Sequence, residues 1–436
     1  MTLSSLRTTT TRWPGLFELP SGPRNAVASP IARRLFRVAV SRLDVTVEIE
    51  VGPGRLEVLG RGGPTMRVNR PEEFYARVGR DGLIGFGEAY LTGAWDTKEP
   101  EDLGDFLSVL AAEMATLIPE RLQRARAFVV AKRPHFHKPD EKQSRELIAH
   151  HYDLSNDLFQ LFLDPTMSYS SALFETDAEG MPVLPAPPED SSLAEAQGRK
   201  IERLLDVTGV GAGTRVLEIG TGWGELALRA ARRGAHVHSV TLSTEQLELA
   251  DQRVARAGFA DQVEIELCDY RAIPTAHPGR QYDAVVSVEM IEAVGAEYWA
   301  SYFQTIESVL APGGKVGIQA ITMPHDRMLA TRGQFTWINK YIFPGGFLPS
   351  TDVIEQVTRD HTTLRVSGRL DFGQHYAETL RQWDQRFLAA REQVLALGFD
   401  EIFVRMWHFY LEYSRAGFAS GYLDVNQIVL DRGDRS

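Results

Sequence analysis

One cysteine, Cys268, occurs in 436 residues, which excludes a disulfide framework or a thiolate metal site within one chain. No apolar run approaches the ~18 residues that a membrane-spanning helix needs. The N-terminal stretch, interrupted by Pro14 and Pro20, lacks the apolar segment of a secretory signal. Excess positive charge is missing too. Forty-seven Lys and Arg against 58 Asp and Glu leave a net charge of −11, and a general nucleic-acid binder needs the opposite balance. The basic character that exists is local: residues 1–43 carry Arg7, Arg12, Arg24, Arg33, Arg34, Arg37 and Arg42 against Glu18 alone. Such a stretch suits an anionic lipid surface. The expectation is a cytoplasmic protein held peripherally at the inner face of the membrane.

Three regions follow from the pattern. Residues 1–30 read as a basic leader with flexible character. Residues 31–140 read as a small α+β domain, from VTVEIEV at 45–51, RLEVLG at 55–60 and a helix over 101–117. The basic stretch 118–143 ends it as a linker, and its His135 and His137 lack the partners of a metal site. From 145 to 436, strands at 214–220, 236–243, 263–270, 282–290 and 314–322 alternate with helical patterns. That alternation predicts an α/β fold with a doubly wound, mostly parallel sheet. His150 and His151, at the entry of that region, are not expected to bind metal.

VLEIGTGWGELAL at 216–228 is the strongest local signal. A strand runs into Gly220, Gly222 and Gly224, and a helix opens at Glu225. Glycine tolerates positive φ and lets a ligand approach the backbone, and such a turn ends the first strand of open α/β sheets that bind ligands there. The spacing is G-x-G-x-G, so the dinucleotide fingerprint is incomplete. Glu218 before the first glycine points to S-adenosylmethionine instead of NAD. Gln246 is the polar candidate for the ribose, and Asp269 with Tyr270 is placed for the adenine.

In order along 145–430, HYDLSNDLF, MSYSSALFE, VLEIGTGWGELAL, VTLSTEQ, CDYRAI, SVEMIEAVG, ITMPHDRML, WINKYIFPGGFLPS and FVRMWHFYLEYSRAGF resemble the cyclopropane-fatty-acyl-phospholipid synthase family, which includes the mycolic acid methyltransferases. The resemblance implies a class I S-adenosylmethionine-dependent methyltransferase fold. The preceding ~140 residues resemble the extra domain of phospholipid-acting members, which tilts the substrate towards membrane phospholipid with an unsaturated acyl chain. It also implies a tendency to homodimerise.

Carried over by motif, Tyr169, Ser170, Gly220, Gly222, Leu242, Gln246, Tyr270, Arg271 and Val288 contact the cofactor. In the family a bound bicarbonate is the base, held by a Cys, a Glu, a His, a Tyr and an Ile backbone. Here the Glu is Glu292, the Tyr is Tyr376 and the backbone contact falls on Ile321. The Cys is replaced by Ser171 and the His by Gln319, neutral groups that do not titrate near pH 7. Two arrangements stay open: a protonated Glu292 donating to bicarbonate, or Glu292 acting without it. Glu289, three residues earlier, is expected to be structural. Tyr302, Phe303, Trp337, Tyr341, Phe343 and Phe347 are candidates for an apolar acyl tunnel.

These departures resemble an actinobacterial branch that methylates oleoyl phospholipid to a 10-methylene chain, the precursor of tuberculostearic acid, which a flavoprotein reductase then saturates. Ring closure to a cyclopropane on the same double bond is the alternative, and a non-catalytic lipid-binding relative is the remaining one.

Overall fold

The structure, a computed structural model, describes residues 13–113, 155–183 and 191–433. The expected linker at 118–143 with His135 and His137, and also His150, His151 and the start of the leader, lie outside the described residues. The chain divides into two compact units.

The first unit takes the described residues up to 113 together with Gly333–Ile342 and Phe387–Ser420. Its sheet has the order β2-β1-β3-β4, with β1 Thr46–Gly52, β2 Arg55–Gly60, β3 Thr65–Val68 and β4 Trp95–Thr97. The leader expectation gives way at Pro23, where a helix runs from Pro23 to Val40. Proline suits a first helical position, because its missing N–H has no intrahelical partner there. The helix expected over 101–117 spans Asp102–Glu113 among the described residues. The late segments join through buried charge. Glu88 accepts the Tyr341 hydroxyl at 2.9 Å and the Lys340 ammonium, with the Arg77 guanidinium 3.6 Å away. Gly87 faces the Trp337 ring so closely that a Cβ would come within 2.5 Å of it.

The second unit holds the described residues from 155 to Arg332 with Phe343–Arg386 and those from Gly421 to 433. A short hairpin, β5 Glu175–Thr176 and β6 Pro182–Val183, stands apart from the main sheet. All five anticipated strands are present, as β7 Arg215–Ile219, β8 His236–Thr241, β9 Val263–Leu267, β10 Tyr282–Val288 and β11 Leu310–Thr322. Two more, β12 Leu364–Asp371 and β13 Asp424–Arg432, complete the order β12-β13-β11-β10-β7-β8-β9. Both faces are buried, as a parallel sheet requires. Val216, Ala284 and Val286 pack with Leu204 and Leu205 on one side, whereas Leu217, Ile219 and Val285 pack with Trp299 and Phe303 on the other. Strand order reverses beside β7, so the carboxyl ends of β7 and β10 frame the crevice where such sheets bind ligands.

Candidate active site

Gly220, Gly222 and Gly224 have φ of 96°, 52° and 86°, so the loop is open to glycine and strained for other residues. The N–H groups of Gly220 and Thr221 both donate to the Val240 carbonyl, which pins the loop to β8. A Cβ on Gly220 would meet Met290 at 2.7 Å, while the space over Gly222 is open. Gly222, Leu242, Tyr270, Arg271 and Val288 stay partly exposed at or just beyond the carboxyl ends of β7 to β10. That row of accessible strand ends, with an open glycine cradle, fits S-adenosylmethionine.

The polar candidates are braced from behind. Ser239 donates to Glu218 at 2.6 Å and lies 2.7 Å from the Thr221 hydroxyl. Burial pushes the Glu218 carboxyl up to about 8, against the Ser239 hydrogen bond and the charge of Lys200. Thr241 donates to the Gln246 side chain at 3.0 Å. Asp269 is occupied differently from the expectation. Its carboxylate accepts from the Arg271 backbone and guanidinium, each at 2.9 Å, and so sets the direction of that arginine. Tyr169 stacks on Trp383 at 5.2 Å, and the Ser170 hydroxyl accepts from Lys200 at 2.6 Å. Lys200 was not anticipated. It is fully buried, and desolvation pushes it down to about 8 against the charges of Glu289, Asp164 and Glu225. Its sequence signal is a helix face on which Gln197 and Lys200 interrupt Leu193, Ala196, Ile201 and Leu204.

Three of the residues assigned to the base site, Ser171, Gln319 and Tyr376, converge on Glu289, while Ile321 stays with Glu292. Glu289 follows β10 directly with φ of 52°; it and Met167 are the two non-glycine residues with positive φ among the described residues. Its Oε1 accepts from the Ser171 N–H and from Gln319 Nε2, both at 2.9 Å, and its Oε2 accepts from the Tyr376 hydroxyl at 2.8 Å. The Ser171 hydroxyl is directed elsewhere, donating to the Ala172 carbonyl. Gln319 is held in this orientation because its Oε1 accepts from Gln427 Nε2 at 3.1 Å, and Gln427 in turn accepts from Arg203 at 2.6 Å. Gln319 and Gln427 are register partners of β11 and β13. Burial pushes the Glu289 carboxyl up, and Gln319, the Ser171 N–H, the Lys200 charge and Tyr376 pull it back.

Glu292 lies apart from that cluster of donors. Its Oε1 accepts from the Ile321 N–H, while its buried Oε2 has no hydrogen-bond partner. Burial first, then the charge of Glu289, pushes its carboxyl up to about 8. The donor set expected for bicarbonate is therefore taken by a side chain of the protein, and a second anion against that carboxylate does not fit. Of the tunnel candidates, Tyr302 and Phe303 are core under Tyr270, Trp337 and Tyr341 pack in the first unit, and Phe347 stacks on Trp299. Away from the site, His238, Glu266 and His277 bring possible ligand atoms together. Glu266 lies 2.9 Å and 2.7 Å from the two imidazoles, and a Tyr282 hydroxyl on His238 completes a closed hydrogen-bond chain.

Residues 139–428 match the family described as mycolic acid cyclopropane synthetase. The chain belongs to that family. Like its other members, this synthetase relative is an S-adenosylmethionine-dependent methyltransferase. It is 52% identical to the tuberculostearic acid methyltransferase UfaA1 of Mycobacterium tuberculosis over 97% of this chain and 95% of that one. It is 32% identical to the cyclopropane-fatty-acyl-phospholipid synthase of Escherichia coli over 87% and 90%. Among solved structures, mycolic acid cyclopropane synthase CmaA1 complexed with SAH and CTAB superposes with a TM-score of 0.57 at 29% identity, covering 68% of this chain and 98% of that one.

Proposed function

We propose that this protein methylates the double bond of an unsaturated acyl chain on a membrane phospholipid, converting oleoyl to the 10-methylene chain that precedes tuberculostearic acid. The likeness to UfaA1, at 52% over nearly the whole of both chains, carries this reading. The cofactor, when bound, supplies a methyl group and its positive charge. Gly220, Gly222, Tyr169, Ser170, Gln246 and Arg271 would hold it. The chain's remaining task is to exclude water from the methylated acyl chain and to receive one proton from it. Buried carboxyls beside the glycine loop suit that task. Ring closure to a cyclopropane is the second reading, favoured by the 32% likeness to the Escherichia coli enzyme.

Peripheral membrane contact belongs to the same proposal. No helix among the described residues is long and apolar enough to cross a membrane. The helix Pro23–Val40 leaves Val27, Ile31, Leu35 and Val38 exposed along one face, with Arg24 and Arg34 exposed on the same face. Apolar side chains bordered by arginine are the pattern of a helix lying in an anionic lipid interface. A flavoprotein reductase is the class of partner that would saturate the product. The reading is tested by incubating the protein with labelled S-adenosylmethionine and dioleoyl phosphatidylglycerol vesicles, then analysing the lipids by mass spectrometry and NMR. A 10-methylene chain is expected; a cyclopropane as main product, or no lipid labelling, overturns the reading.

A further inference from the structure

We propose that Glu289 is the base of the reaction, a proton acceptor built into the chain that stands where a bound anion would otherwise be needed. The inference rests on the reading of the protein as an acyl-chain methyltransferase. Once a methyl group has added to one carbon of the double bond, its neighbour is electron-deficient. Hydride migration from the methylated carbon moves that deficiency beside the new methyl group. Loss of one proton from the methyl group then turns its C–H electron pair into the second bond of the methylene. The proton goes to a Glu289 carboxylate oxygen and leaves to water before the next turnover. No oxidant or co-reactant is required.

Three features assign this role to Glu289 instead of Glu292. Glu289 accepts from three donors, the Ser171 N–H, Gln319 and Tyr376, and lies in the field of the buried Lys200 cation. Those interactions favour its ionised form and fix both oxygens in place. Glu292 has no side-chain donor, one oxygen without a partner and a like charge beside it, all of which disfavour its ionised form. The second feature is access. Glu289 is enclosed by protein yet remains partly exposed, next to Val288 and Met290, which are partly exposed as well. A ligand in the crevice at the end of β10 can therefore reach it. The third is backbone strain. A glutamate held at φ 52° sits in strained backbone, and such strain clusters at sites where a side chain must be aimed.

The test compares Glu289→Gln and Glu289→Gly with the wild type on dioleoyl phosphatidylglycerol vesicles in bicarbonate-depleted buffer. S-adenosylmethionine binding is followed separately by calorimetry as the control for folding. Wild-type turnover is expected to be independent of added bicarbonate. Glu289→Gln should bind the cofactor within about twofold of wild type and lose on the order of 10²–10⁴ in kcat. Glu289→Gly should regain turnover with added formate in a saturable manner, which a purely structural role would not produce. Glu289→Gln turning over within threefold of wild type would overturn the proposal, as would wild-type turnover that vanishes without bicarbonate, or a cofactor-binding Glu289→Gly variant that formate does not restore. If the wild type itself labels no lipid, the functional reading fails instead.

Discussion

Tyr376 gives one hydroxyl to Glu289, and a hydrogen bond to a charged group contributes about 1.5–3 kcal/mol. Tyr376→Phe is therefore expected to lower kcat about 10- to 100-fold while cofactor affinity, read by calorimetry, holds. Ser171→Cys with Gln319→His is expected to leave the product unchanged, because Glu289 still fills the site; a shift to cyclopropane in the lipid NMR would contradict this. Glu292 gives a pH test. Its folded pKa of about 8 lies above the ordinary 4.5, so the folded state binds more protons between those values. Stability then falls as pH rises through that window and levels off above it. Glu292→Gln should flatten this fall by up to about 1 kcal/mol per pH unit, measured by urea unfolding from pH 5 to 8.5; Glu218 keeps part of the slope in the variant. At this scale the sequence disclosed the residue types of the site but not their pairing. Ser171, Gln319, Tyr376 and Glu292 stood in recognisable motifs, whereas Glu289 looked structural because its φ, and hence its direction, has no signature in a one-letter code.

Elements explain the rest of what was and was not legible. The five parallel strands were readable because each is an apolar run separated by a helix, the rhythm that a crossover imposes. β12 and β13 escaped that rhythm. β13 runs antiparallel to both its neighbours, β11 and β12, and DVNQIVLDR carries Asn426 and Gln427 where a buried strand is usually apolar. Those polar residues are the point of the strand, since Gln427 fixes the amide of Gln319. Gln427→Leu is expected to leave the sheet intact by circular dichroism but to lower kcat roughly fivefold, because an unpartnered Gln319 amide loses its set direction at about 1 kcal/mol. The exposed face of Pro23–Val40 gives a prediction of its own kind. Ile31→Glu with Leu35→Glu should weaken sedimentation with anionic vesicles while turnover on detergent-dispersed lipid is kept.

For the whole chain, the two units are assembled from interleaved segments, so neither is a continuous stretch that could be cut out at a loop. Within the first unit, Glu88 links residues more than 250 positions apart in sequence to its own helix. Glu88→Ala would take one of two carboxylates from Arg77, which is 1% exposed, leaving it Glu73 at 2.9 Å. Breaking a buried pair from one side costs about 3–5 kcal/mol; because Glu73 still holds Arg77, a drop in the unfolding free energy no larger than this is the expected result. The left-handed backbone at Glu289 has a consequence for stability as well. Glycine would relax that position and remove a desolvated carboxyl, so the chain would gain stability at the moment it lost its own base. Stability and a base carried by the chain are thus set against each other at this one position.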